Sequence, residues 1–67
     1  MICVVKINGK EENAAGKNVA EVIESLGYNT IRIAVELNME ILPKSMYGET
    51  ILKDGDTVEV VSFVGGG

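Results

Sequence analysis

Few groups in this sequence can do chemistry. Its 67 residues contain no His and a single Cys, Cys3. That inventory excludes an intrachain disulfide, a zinc site of Cys and His, and any Ser-His or Cys-His nucleophile pair. What stands out instead is the run Val64-Gly65-Gly66-Gly67 that closes the sequence. Glycine has no Cβ and loses more backbone entropy on ordering than any other residue, so this run is expected to be a flexible tail. Four extended residues reach about 13 Å past Phe63, enough to enter a channel too narrow for side chains. The Gly67 carboxylate, with a pKa of ~3.5, is ionised at neutral pH and is a poor electrophile. Its chemistry therefore needs activation by another protein. Adenylation by ATP would convert it into a mixed anhydride open to attack by sulfur or nitrogen.

The remaining polar groups read as structural. Asp54 and Asp56 flank Gly55 as turn formers, and Glu11 and Glu12 lie on an exposed edge, so neither pair is assigned as metal ligands. Cys3, on an apolar strand, is expected to be a small core hydrophobe, and Tyr28 and Tyr47 to be packing or loop residues. Six Lys and Arg against ten Asp and Glu give a net charge of -4, which opposes the phosphate attraction on which nucleic-acid binding depends. No apolar run approaches a membrane span, and no basic region precedes a long apolar stretch, so a cytoplasmic protein with no membrane partner is expected.

The elements that position the tail follow from periodicity. Met1, Cys3, Val5 and Ile7 share one side of a first strand, with Ile2, Val4 and Lys6 on the other. Asn8-Gly9 is a two-residue hairpin signal, and Lys10 to Ala15 is expected to return as a polar edge strand. Asn18 and Glu21 have capping-box spacing ahead of Val19, Val22, Ile23 and Leu26, a single apolar stripe of a short helix that Gly27 ends. Ile31, Ile33, Val35 and Leu37 alternate with Arg32, Ala34, Glu36 and Asn38, predicting a half-buried strand. Asn38-Met39-Glu40 reads as a turn, Ile41-Leu42 as a short strand stopped by Pro43, and Lys44 to Thr50 as a loop. After the Asp54-Gly55-Asp56 turn, Thr57 to Val64 is the last strand.

This order predicts an α+β fold in one domain, residues 1–67: a mixed sheet crossed by one helix, as in the ubiquitin-like β-grasp. The first and last strands are the most apolar and should pair in parallel at the sheet centre. Val58 and Val60 on the last strand would face the helix. Val61 and Phe63 point the other way, as a docking patch extended by Ile2 and Val4, or else as a face covered by Met46 and Tyr47 of the 44–50 loop.

Several segments carry a family resemblance that spans the whole chain. They are Asn8-Gly9, Ala34-Val35-Glu36-Leu37-Asn38 with Ile41-Leu42-Pro43, Leu52-Lys53-Asp54-Gly55-Asp56, and Val58-Glu59-Val60-Val61-Ser62-Phe63-Val64-Gly65-Gly66-Gly67. The sequence resembles the ThiS family, small sulfur carriers of thiamin biosynthesis. The resemblance implies a carrier that is not itself an enzyme and holds no stably bound cofactor or metal. An E1-like, ThiF-like enzyme would adenylate the Gly67 carboxylate with ATP and magnesium. Sulfur from a cysteine desulfurase or another donor would convert it to a thiocarboxylate, and a ThiG-like thiazole synthase would accept that sulfur. Val61, Phe63, Val64, Gly65 and Gly66 would then be the partner-binding residues. Two alternatives remain: a carrier for another pathway, such as the small subunit of molybdopterin synthase, and a ubiquitin-like interaction module that carries no sulfur.

Overall fold

The computed structural model describes residues 4–63. The expectations for Met1, Ile2, Cys3 and Val64 to Gly67 lie outside the described residues. Five strands form one mixed sheet: β1 (Val5–Ile7), β2 (Lys10–Glu12), β3 (Ile33–Leu37), β4 (Glu40–Leu42) and β5 (Thr57–Ser62), in the order β2-β1-β5-β3-β4. As expected, β1 and β5 are parallel, with Ile7 opposite Val58, while β3 runs antiparallel to β5 on its other edge. Among the described residues a single α-helix, α1 (Val19–Ser25), lies on one face.

The helix forms where local chemistry dictates. Asn18 Oδ1 accepts from the Glu21 amide at 2.8 Å, and Glu21 Oε1 accepts from the Asn18 amide at 3.2 Å, so two otherwise orphaned donors are satisfied at its start. At its end, Gly27 takes a φ of +88°, a left-handed conformation that costs glycine nothing. The Gly27 and Tyr28 amides then bond back to the Glu24 and Ile23 carbonyls and close the last turn. Val19, Val22 and Ile23 are buried against Val5, Ile7, Ile33, Val35, Val58 and Val60, with Leu52 and Tyr47 completing the same core. Leu26, the last residue of the predicted stripe, lies just beyond the helix and is exposed.

Three expectations are corrected. The second strand stops at Glu12 rather than Ala15, because the chain turns inward there to bury Ala14 in the core. Ile31 belongs to a 3-10 turn, Thr30–Arg32, and not to β3; it is 76% exposed. The Asn29 side chain accepts from the Ile31 amide at 2.9 Å and fixes that turn, overriding the alternation that favoured a strand. The 44–50 segment carries a second 3-10 turn, Lys44–Met46, and its Tyr47 enters the helix-side core. Among the described residues no helix is long and apolar enough to cross a membrane.

Both hairpins of the sheet turn through an asparagine with a φ of +52°, Asn8 and Asn38, each beside β5. The Val60 amide donates to Asn8 Oδ1 at 2.7 Å, and Asn8 Nδ2 donates to the Tyr28 hydroxyl at 3.2 Å. On the opposite edge the Thr57 amide donates to Asn38 Oδ1 at 2.9 Å, and Asn38 Nδ2 donates to Asp56 Oδ1 at 3.1 Å. Where each neighbouring strand ends, a side-chain amide continues the ladder.

Two outcomes follow. Asn8→Gly keeps the turn but strips Val60 of its acceptor, and should cost about 1–3 kcal/mol. Asn8→Ala should cost about 1–2 kcal/mol more, because alanine resists positive φ. Urea denaturation checks both, and equal costs would show that the turn conformation is unimportant. The second outcome concerns Tyr47, whose hydroxyl is pushed above its usual 10.0 by burial, partly offset by a hydrogen bond to the Val35 backbone. The unfolded hydroxyl ionises first, so the folded state loses stability as pH rises above 10.0. Tyr47→Phe removes this component, and the stability difference between wild type and Tyr47→Phe should shrink as pH is raised above 10.0.

Candidate functional site

The site is built on the face of the sheet away from the helix. On β5, Val58 and Val60 point into the core while Thr57, Glu59 and Val61 alternate outward, and Phe63 follows just past the end of the strand. Val61 is 55% and Phe63 57% exposed. The 44–50 loop packs on the helix side through Tyr47, so of the two readings of this face the covering loop is ruled out.

The composition of the patch differs from the expectation in one respect. The parallel register sets Val4 beside the start of β5, where its carbonyl accepts from the Gly55 amide at 2.9 Å. Val4 therefore lies at the far end of the strand from Val61 and does not extend the patch, while Ile2 falls outside the described residues. The apolar neighbours come from the other edge. Ala34 lies opposite Val61, and Ile41, 78% exposed, lies opposite Glu36 in the next strand pair. Sequence reasoning placed Ile41 on a strand but not in this patch. The signal was available, since a two-residue Asn38-Met39 turn pairs Glu36 with Ile41 and carries Ile41 onto the same face as Val61.

Phe63 is anchored by its amide, which donates to the Arg32 carbonyl at 2.7 Å. This bond continues the β3–β5 ladder up to the last described residue. Val64, Gly65, Gly66 and Gly67 follow it in sequence and lie outside the described residues.

The other candidates behave as turn or edge groups. Asp54 Oδ1 accepts from the Val4 amide at 2.9 Å, and Asp56 Oδ2 from the Lys53 amide at 2.9 Å, so both carboxylates organise the turn that launches β5. Among the described residues no group of three or more His, Cys, Asp or Glu is placed to hold a metal ion. A shallow groove of about 370 Å³ lies on the helix side between Ala20, Glu24, Ile31, Lys44 and Tyr47, remote from the open face.

The profile of the ThiS family matches residues 4–67. The chain belongs to the ThiS family. It is 38% identical over 64 residues to the sulfur carrier protein ThiS of Thermus thermophilus, covering 96% of this chain and all of that one. It is also 45% identical over 62 residues to a thiazole synthase of Paramagnetospirillum magneticum, covering 91% of this chain but spanning only 19% of that protein's length. The crystal structure of a thiamine biosynthesis protein, ThiS, from Geobacter metallireducens superimposes with a TM-score of 0.78 at 37% identity, over 96% of this chain and 99% of that one. The mixed sheet and single helix are thus the β-grasp of ThiS proteins. Its ThiS relatives bear the name of carriers, not of enzymes.

Stability and docking should separate cleanly between the two faces. Leu52→Ala, at a side chain 1% exposed, should cost about 2–5 kcal/mol. Val61→Ala and Phe63→Ala should each change stability by no more than about 0.5 kcal/mol. Thermal and urea melts of the three variants check this. A large loss for Phe63→Ala would place its ring in the folding core.

Proposed function

We propose that this chain is the sulfur carrier of thiazole formation in thiamin biosynthesis, acting as a co-substrate of partner enzymes. The observation that carries the reading is the similarity of one stretch of sequence both to free-standing sulfur carriers and to part of a thiazole synthase. That second likeness supports a thiazole synthase as the sulfur acceptor.

In this reading the reacting group is the Gly67 carboxylate. An E1-like adenylating enzyme, supplied with ATP and magnesium, directs the carboxylate oxygen to the α-phosphorus, and pyrophosphate leaves. The acyl adenylate is then attacked at its carbonyl carbon by hydrosulfide, supplied by a sulfur donor or released by a thiol reductant from the persulfide of a cysteine desulfurase. The bond to the phosphate oxygen breaks, AMP departs, and a thiocarboxylate is left. Its sulfur, anionic at neutral pH, is the nucleophile delivered to the thiazole synthase. Val61 and Phe63 seat the open face on each partner, and Val64, Gly65 and Gly66 span the distance from that face to the partner's reacting centre. The chain needs no His, metal or pocket of its own, because each partner contributes its own catalytic groups.

The test is intact-mass measurement after incubation with an E1-like enzyme, ATP, magnesium and a sulfur source. The expected result is replacement of one oxygen by sulfur, localised to Gly67 by fragmentation and lost on addition of thiazole synthase. Deleting Gly67 should abolish the change without altering the melting curve. An unchanged mass with all components active would defeat the carrier reading, and isopeptide adducts on lysines would favour a conjugated module.

A further inference from the structure

The open face carries an arrangement that folding does not explain. Glu36 of β3 and Glu59 of β5 are directly opposite each other in the antiparallel ladder, both exposed. Like charges in that relation destabilise a sheet. The fold shows the opposite preference elsewhere on the same face, where Lys6 of β1 sits across from Glu11 of β2. None of the side-chain hydrogen bonds among the described residues ends on the carboxylate of Glu36 or Glu59. The pair is also flanked by the apolar patch: Ile41 is opposite Glu36 on one side, and Val61 follows two residues after Glu59 on the other.

We propose that Glu36 and Glu59 form the acidic centre of the docking face and receive an Arg or Lys from the partner, with Ile41, Val61 and Phe63 as the surrounding apolar contacts. This rests on the carrier reading and adds to it the chemistry of the partner's surface: one basic side chain set in an apolar depression. Two glutamates at directly opposed positions of one ladder suit a guanidinium, whose fork of donors can address both. A second copy of this chain is a poor occupant, because face-to-face pairing about a two-fold axis would bring four carboxylates together. A basic partner offsets the like charges instead.

The experiment compares wild type with Glu36→Gln/Glu59→Gln and with Glu24→Gln/Glu49→Gln, which makes the same charge change on exposed side chains elsewhere. Association with the purified E1-like enzyme and with thiazole synthase is followed by stopped flow across a salt series. For at least one enzyme the first double variant should associate about tenfold more slowly, with a shallower salt dependence, while the control pair changes little. Its unfolding midpoint should meanwhile rise, as the cross-strand repulsion is removed.

Equal rates for the two double variants would overturn the proposal while leaving the carrier reading intact, as would a fall in the unfolding midpoint. Sedimentation showing that the wild type dimerises through this face, and that the double Gln variant does not, would also overturn it. If the wild type binds neither enzyme, both readings fall, and the mass measurement reports independently on the carrier chemistry.

Discussion

The structure depends on holding β5 from both edges at once. This strand is the hub of the sheet: it contributes Val58 and Val60 to the core and presents Val61 on the open face, with Phe63 just past its end. Its neighbours are short, and the hairpins that end them would leave β5 amides without acceptors. Asn8 and Asn38 solve this with one residue type. Each must take positive φ, which excludes most side chains, and each must offer an acceptor to a β5 amide. Glycine meets the first requirement only. Aspartate meets both but has no donor, so it would lose the bond from position 8 to Tyr28 and would set a second carboxylate against Asp56 at position 38. Asparagine satisfies every demand.

Among the described residues the one α-helix, seven residues long, packs on a single face of the sheet. Placing Tyr47 and Leu52 with the helix concentrates the apolar volume on that side and lets one core do all the stabilising. The second face is then released from folding. Its residues carry little of the core packing, which lets Ile41, Val61 and Phe63 remain more than half exposed beside an acidic pair. An apolar surface of this kind would be a liability for aggregation if it were uniform. The carboxylates interrupt it.

How much of this was legible in the sequence follows from the range of the interactions concerned. The capping box at Asn18 and Glu21, the left-handed cap at Gly27 and both asparagine turns are set within a few residues, and each can be read directly. Side-chain parity on β5 is equally local, so Val61 and Phe63 were assigned to the correct face. Ile31 misled because its alternation with Ile33 fits a strand, while the competing Asn29 hydrogen bond requires weighing a side chain against a backbone pattern. The offset between β1 and β5 was not legible. Parity says which face a residue takes but not where it falls along a parallel neighbour about fifty residues away, and no tight turn fixes that register. Val4 was therefore placed near Val61 when it belongs beside Gly55. The asparagine side-chain bonds to β5 were hidden for the same reason, since their acceptors and donors meet only once the sheet is assembled.

The same distinction bears on what kind of interface the open face can form. In the proposed cycle, a carrier that visits an activating enzyme and then an acceptor gains nothing from a tight complex with either, because slow release from the first would limit delivery to the second. Fast association without slow dissociation calls for charge complementarity around a small apolar contact, since charges act mainly on encounter and buried apolar anchors act mainly on residence. The open face has that balance: a few exposed apolar side chains and a paired negative charge, on a chain whose net charge is also -4. Enlarging the apolar contact would strengthen each complex but lengthen its lifetime, and would expose more apolar surface in the free protein. The acidic pair escapes both penalties at the cost of a small repulsion across one rung of the sheet, which the bonds that Asn8 and Asn38 add to β5 help the fold to tolerate.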